Sequence, residues 1–407
     1  GSNPVAGTIH LSMTQNERAK PEKIVKTRMK IAIDLRPLMA GKVSGVEVYI
    51  KSMLEALFKV NTKHQFILWY NAFKKIDTRH FPKLPKNVRL VRTRIPNKLF
   101  NLSLSLLRWP KLDKLIKKRA GKIDAIWVPD PRPAPVSKNC KKVITFHDLS
   151  FEDFKYSFNF KTRLWHKILR PKKEALEADF IIAVSEFTRG QLIEEYNIDK
   201  RKIKVVYEAA ASHLKPLDLP KSFEIIRRKY KLPETYFLCL STLEPRKNTT
   251  GIIEAYLDWQ TDTKVNVGLV IAGQKYPQIF SETKLKEHPN IHLTGFIDEE
   301  DKALMYQHAL AFLYPSFYEG FGLPILEAMQ CGTPVITSNA TAMSEVAGKA
   351  ALLINPNKPK ELKEAMHEIY RDQKLRAELI EKGLTRASEF SWQKTADKFM
   401  KYFDRKN

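Results

Sequence analysis

Short β-branched runs alternate with amphipathic segments along almost the whole chain, and this alternation restricts the fold more than any other feature. Ile31 to Leu35, Asp124 to Val128, Val143 to His147, Phe180 to Val184 and Ile203 to Tyr207 read as strands of a first unit. Tyr236 to Leu240, Gly268 to Ala272, Ile291 to Leu293, Ala311 to Tyr314, Val335 to Thr337 and Ala351 to Ile354 form a second series. Near-continuous apolar strands separated by helix-length segments imply parallel sheets covered on both faces. The predicted fold class is α/β, with two doubly wound, Rossmann-like domains facing across a cleft. A ligand is expected at the carboxyl ends of the strands, in that cleft.

Residues 1–28 show no periodicity and read as a tag with a flexible basic lead. Residues 29–213 then form the first domain and 233–388 the second. Between them, 214–232 reads as a linker, with Pro216, Pro220 and Pro233 around a charged helical stretch. With 43% hydrophobic residues in 407, the chain can bury a core in each domain, which excludes wholesale disorder. Every apolar run stops far short of the ~18 residues needed to cross a bilayer. Cys140, Cys239 and Cys331 are widely spaced in apolar contexts, which fits buried thiols in the cytoplasm better than a disulfide frame or a zinc site.

The charge is unevenly placed. Residues 1–210 hold 43 Lys+Arg and 20 Asp+Glu, nearly all of the net +25 of the chain. Within them, residues 81–122 carry 13 basic side chains and one acidic one, Asp113. Leu99, Leu102, Leu106 and Trp109 recur there at helical spacing, followed by Lys111, Lys114, Lys117, Lys118 and Arg119. Such a stretch suits an anionic membrane surface, although the same leucine spacing also suits a helix packed on its own core. Nucleic acid would answer the charge too. No zinc-finger spacing, RNA-recognition aromatics or recognition-helix pattern accompanies it, so nucleic acid is the weaker reading.

Four segments could carry chemistry. A strand, a loop with Gly41 and Gly45, and a helix from Val46 place unpartnered backbone N–H groups where an anion can approach. Arg246 and Lys247 follow a strand and precede a helix near Thr249, combining a planar fork with a point charge, two complementary ways to hold phosphate oxygens. Glu319 to Glu327 places two glycines, Gly320 and Gly322, before Pro324 at a helix start, with backbone donors aimed at a ligand. Its two carboxylates, eight residues apart, suit the hydroxyls of a sugar. Finally, His147 ends a strand beside Asp148, where it can meet a sugar, titrate, or be satisfied by backbone.

Taken together, these residues resemble the family 4 retaining glycosyltransferases of the GT-B fold, and more narrowly the bacterial mannosyltransferase-like enzymes of polysaccharide assembly. The resemblance runs from Met29 to about Phe403. It rests on Glu319 to Glu327 (the Glu-x7-Glu pattern of the family), Leu243 to Asn248, Val184 to Thr188, Phe146 to Phe151 and Ser344 to Gly348. It implies a nucleotide-diphosphate sugar as donor, GDP-mannose ahead of a UDP-hexose, held mainly by the second domain with no metal or other cofactor. By this resemblance Arg246 and Lys247 clamp the diphosphate, Glu327 holds the ribose and Glu319 contacts the transferred sugar. Gly320, Phe321, Gly322 and Leu323 offer backbone donors, Gly45 closes on the diphosphate and His147 lies near the sugar. The C-terminal segment, 389–407, looks like the helix that crosses back to the first domain. Glu47 and Val48 stand where relatives often have Gly and Arg, Glu208-Ala209 where Asn-Gly is usual, and Ser344 where a proline is usual.

The expected chemistry is front-face transfer with retention, in which fixed cations stabilise the departing diphosphate and one of its oxygens takes the acceptor proton. The acceptor is expected to be a glycan or a lipid-linked saccharide, met at the inner face of the cell membrane. A nucleotide-sugar epimerase of the same architecture and a non-catalytic binder are the competing readings.

Overall fold

The computed structural model of the protein describes residues 28–40, 45–60, 63–74, 83–154, 158–217, 220–274 and 288–404. The N-terminal lead and Gly41 lie outside them. A first sheet contains β1 (Lys30–Asp34), β2 (Gln65–Asn71), β3 (Val88–Thr93), β4 (Ala125–Val128), β5 (Lys141–Phe146), β6 (Phe180–Ala183) and β7 (Ile203–Val205). Its order is β3-β2-β1-β4-β5-β6-β7 and every pair is parallel. The second contains β8 (Tyr236–Leu240), β9 (Gly268–Ala272), β10 (Ile291–Gly295), β11 (Ala311–Tyr314), β12 (Val335–Ser338) and β13 (Leu352–Ile354). It is also parallel, in the order β10-β9-β8-β11-β12-β13. Every strand expected in the second series forms. In the first, β2 and β3 add to the five expected. Only Ile67 is β-branched in β2, and β3 carries Arg89 and Arg92 on opposite faces, breaking its apolar pattern at the edge of the sheet.

The helices of the first half are α1 (Gly45–Lys59), α2 (Asn97–Leu106), α3 (Leu112–Ala120), α4 (Ser150–Asp153), α5 (Phe160–Leu169), α6 (Pro171–Glu177) and α7 (Glu186–Tyr196). Those of the second are α8 (Pro220–Lys229), α9 (Thr249–Thr263), α10 (Lys302–Gln307), α11 (Leu323–Gln330), α12 (Ala342–Ala347), α13 (Pro359–Arg371), α14 (Gln373–Ser388) and α15 (Trp392–Asp404). Side chains leave a strand alternately up and down. Ile31, Ile33, Phe66 and Leu68 therefore share one core with Tyr49 and Met53 of α1, while Ala32, Ile67 and Trp69 join the opposite core.

Although α15 follows the second domain in the chain, Phe399, Met400 and Phe403 are buried in the core beneath α1. Burying each contributes about 1.5–3 kcal/mol, so α15 is fastened to the first domain and straps the two together. In segment 214–232, Leu214, Phe223, Ile226 and Leu232 pack with Tyr236 and Leu304 of the second. Strand order reverses between β1 and β4 and between β8 and β11, and loops diverging at these points leave a crevice at the carboxyl ends.

Candidate active site

The loops after β8 and β11 are stitched into one unit. Asn248 adopts a left-handed conformation (φ 57°) at the start of α9. Its side-chain amide donates to the carbonyls of Pro315 (3.2 Å) and Pro356 (2.9 Å). The Arg246 carbonyl accepts from the N–H of Phe317 at 2.8 Å. Arg246 and Lys247, on the intervening turn, thereby face Glu319.

Arg246 Nη1 donates to Glu319 Oε2 (2.8 Å) and to the Tyr318 carbonyl (3.0 Å), and Nη2 lies 2.8 Å from Glu244 Oε1. Lys247 Nζ donates to Glu319 Oε1 (2.5 Å) and to the Tyr314 hydroxyl (2.9 Å), which in turn donates to Glu319 Oε1 at 2.9 Å. Glu319 is only 6% exposed. Burial alone would lift its carboxyl, but Arg246 and Lys247 beside it outweigh that and hold it at about 2. Burial lifts Glu244 above the usual carboxylate range in spite of Arg246.

Two carboxylates and two cations make a neutral, rigid cluster. Among the described residues, Arg246 Nε is buried without a hydrogen-bond partner, and Lys247 Nζ spends two of its three protons, on Glu319 and Tyr314. Glu319, expected to contact the transferred sugar, is in this structure the strut that holds both cations. Glu327 is held apart from this cluster, accepting from the Tyr306 hydroxyl of α10 at 3.0 Å. Gly322 (φ 100°) turns the chain into α11 with Pro324 in its first turn. Among the described residues, the N–H groups of Gly320, Phe321 and Gly322 carry no hydrogen bond.

The first domain closes directly onto this loop. Ser185 caps α7, accepting from Thr188 N at 3.0 Å, and its hydroxyl donates to the Gly320 carbonyl at 2.6 Å. Thr188 Oγ1 donates to the same oxygen at 3.1 Å. Glu345 of α12 accepts from the N–H groups of Glu186 (2.8 Å) and Phe187 (3.2 Å), so its negative charge sits at the positive end of α7. The Tyr318 hydroxyl accepts from Leu149 N at 2.9 Å. A Cβ at Gly320 would lie 1.7 Å from the carbonyl oxygen of His147. The segments Val184 to Thr188 and Ser344 to Gly348 therefore form a seam between the domains.

His147 is engaged on both sides of its ring, one of them by backbone. Nδ1 lies 2.9 Å from Glu208 Oε1 and Nε2 lies 2.9 Å from the Pro129 carbonyl oxygen, so both ring nitrogens face acceptors within the protein. Burial lowers the imidazole, yet the bonded Glu208 carboxylate, with Asp130 nearby, raises it above the usual range. With both nitrogens engaged inside the protein, the ring anchors the peptide that touches Gly320. Glu208 was visible in the sequence only as a departure from Asn-Gly, while Tyr314 and Glu244 gave no signal beyond a strand end and a loop acid. Gly45 opens α1 at the surface, where an added Cβ would meet nothing within 4 Å.

Among the described residues no helix is long and apolar enough to cross a membrane, and no group of three or more His, Cys, Asp or Glu could hold a metal ion. Cys140, Cys239 and Cys331 are buried free thiols.

Residues 43–210 match the Glycosyltransferase Family 4 model and residues 222–386 match Glycosyl transferases group 1. O-antigen chain mannosyltransferase B of Escherichia coli is 34% identical over 62% of this chain and 67% of its own length. The serotype-specific mannosyltransferase WbdA of Escherichia coli is 29% identical over 63% of this chain, but the match spans only 32% of that longer protein. Anabaena Alr3699/HepE, solved with UDP-glucose, superposes with a TM-score of 0.67 at 17% identity, covering 92% of this chain and 99% of that one. With two matching domain models, a shared GT-B architecture and a cation pair at the switch point of the second sheet, the chain is a glycosyltransferase and belongs to family 4.

Proposed function

We propose that the protein moves a hexose, mannose first, from a nucleotide-diphosphate sugar to a glycan or lipid-linked acceptor with retention at the anomeric carbon. The observation that carries this reading is the Arg246–Lys247 pair, pre-set by Glu319 and Glu244 with donors left over for a diphosphate. Two of the relatives are named mannosyltransferases, which favours GDP-mannose; the UDP-glucose bound by HepE keeps a UDP-hexose second.

Cleaving the anomeric bond leaves negative charge on the departing diphosphate. Cations already held in place stabilise that charge with little reorganisation. The free N–H groups of Gly320 to Gly322 add neutral donors to the same region. Retention follows from front-face attack, with a diphosphate oxygen accepting the proton of the attacking hydroxyl. The closed seam limits access of water and so protects the donor from hydrolysis.

The test is a thermal-shift panel of nucleotide sugars, followed by transfer to mannose-terminated glycans with the product anomer assigned by NMR. A donor at 100 times its dissociation constant stabilises the fold by about 2.7 kcal/mol. GDP-mannose is expected to give the largest shift and an α-linked product; a β-linked product refutes front-face transfer.

A peripheral membrane contact through residues 81–122 is part of the proposal. Leu99, Leu102, Leu106 and Trp109 all face outward, while Phe100 and Leu104 take the core side of α2. Lys114, Lys117, Lys118 and Arg119 are exposed on the adjacent α3. Each cation near an anionic surface contributes about 1 kcal/mol. Changing these four to Glu is expected to abolish sedimentation with phosphatidylglycerol vesicles at low salt. Unchanged sedimentation removes the membrane contact from the proposal.

A further inference from the structure

The first domain contains a groove of about 870 Å³ outside the donor site, within the about 300–1,000 Å³ typical of small-molecule sites. Its apolar lining comes from Phe151 of α4, Phe158, Phe160 and Leu164 of α5, and Pro171 and Leu176 of α6. Arg163, Lys167, Arg170, Lys172 and Lys173 line it as well, against a single acid, Glu152. Lys173 lies 4.0 Å from Glu177, and Glu152 is engaged by the Tyr196 hydroxyl at 2.9 Å. Arg163, Lys167 and Arg170 carry no ion pair among the described residues, and Arg163 Nε is buried without a hydrogen-bond partner.

The two ends of the groove point to different surroundings. At the inner end, α4 follows His147 to Leu149, the segment that meets Gly320 and Tyr318, and the Phe154 ring lies 5.2 Å from that of Tyr318. At the outer end, α5 is bonded to α2 through Ser105 Oγ and the Ile168 carbonyl, and Arg108 ties the end of α2 to Glu174 and Glu177 of α6. Phe160, Leu164 and Leu176 are exposed on the two helices tied to α2, whose own leucines face outward. Among the described residues, eight of the fifteen exposed large apolar side chains lie on or just after these three helices. A soluble protein rarely gathers its exposed apolar area in this way without a partner for it.

Cations with spare donors over an apolar floor complement an anion attached to hydrocarbon. We infer that this groove binds the phosphate-bearing hydrocarbon chain of a membrane lipid, and that this lipid carries the saccharide acceptor. The phosphate meets Arg163, Lys167 and Arg170, the chain leaves across α5 and α2 toward the bilayer, and the saccharide passes over α4 into the cleft. This rests on the proposed transfer to a lipid-linked acceptor and identifies where such an acceptor is held.

The test measures binding of farnesyl diphosphate, farnesol and inorganic pyrophosphate to the full chain by calorimetry in the absence of vesicles, with GDP-mannose titrated separately. Farnesyl diphosphate is expected to bind at least tenfold more tightly than either half alone. Arg163→Glu with Lys167→Glu, and independently Leu164→Asp, are each expected to weaken it at least tenfold without changing the donor titration. Pyrophosphate or a poly-glutamate peptide binding as tightly as farnesyl diphosphate overturns the inference, as does an unchanged affinity in both variants. Variants that lose vesicle sedimentation yet keep farnesyl diphosphate binding also overturn it, reducing the groove to part of the membrane contact. Failure of GDP-mannose to bind would instead refute the donor reading and leave the lipid titration interpretable.

Discussion

Replacing Arg246 and Lys247 together with alanine is expected to slow sugar transfer by at least about 10³-fold. Removing one preorganised donor from a developing oxyanion costs about 10²–10³ in rate, and the two side chains hold different edges of the same cluster. Loss of fold is the competing explanation, because the variant leaves Glu319 and Glu244 buried without counter-charges. Removing one partner of a buried pair costs about 3–5 kcal/mol. A second variant separates the two effects. Lys247→Met keeps the apolar stem, and adding Glu319→Gln removes a negative charge along with the positive one, so the cluster stays neutral. That pair is expected to recover most of the melting temperature lost by Lys247→Met while its turnover stays at least 10²-fold low. Turnover of the double alanine enzyme within tenfold of the parent, about 1.4 kcal/mol, removes the clamp from the mechanism.

Legibility of this site in the sequence followed the range of the interactions involved. Leu243 to Asn248 and Glu319 to Leu323 are local devices: a strand end, a tight turn and a helix start, each specified within ten residues. The strands of the second sheet are legible for the same reason, since burial on both faces selects continuous apolar runs such as Tyr236–Leu240. What the sequence withheld are pairings between distant residues. His147 and Glu208 are 61 positions apart, and Ser185 and Gly320 are 135 apart. Nothing near His147 distinguishes a ring that meets sugar from one fastened at both nitrogens. Tyr314 is hidden in another way. Its ring reads as the last apolar residue of β11, and only the fold brings its hydroxyl between Lys247 and Glu319. The outward leucines of α2 were equally suited to a core by spacing, and it is the alternative face, Phe100 and Leu104, that the domain uses.

Gly320→Ala is expected to leave each domain folded and to prevent their closure, lowering transfer by at least about 10²-fold. The backbone of Gly320 is not in the left-handed region, so alanine is unstrained within its own domain. The conflict lies across the seam: the added Cβ would stand 1.7 Å from the His147 carbonyl oxygen and 2.7 Å from both the His147 carbonyl carbon and Asp148 Cβ. No flexible side-chain end can yield there, because the nearest atoms are backbone and His147 is anchored through Glu208 and Pro129. The domains must therefore separate by more than an ångström at this point, and a misplacement of about 1 Å costs about 10²-fold where reacting groups are positioned by closure. Small-angle scattering is expected to show a larger radius of gyration than the parent, while donor affinity, which the proposed function assigns mainly to the second domain, stays within a few-fold. Ser185→Ala with Thr188→Val provides the graded comparison. It deletes two hydrogen bonds to the Gly320 carbonyl, about 0.5–1.5 kcal/mol each, without introducing a clash, so its loss should be about tenfold and its scattering close to parental. If Gly320→Ala matches the parent in both turnover and scattering, the contact between Gly320 and His147 is not the one that brings donor and acceptor together, and catalysis proceeds from a more open arrangement of the same two domains.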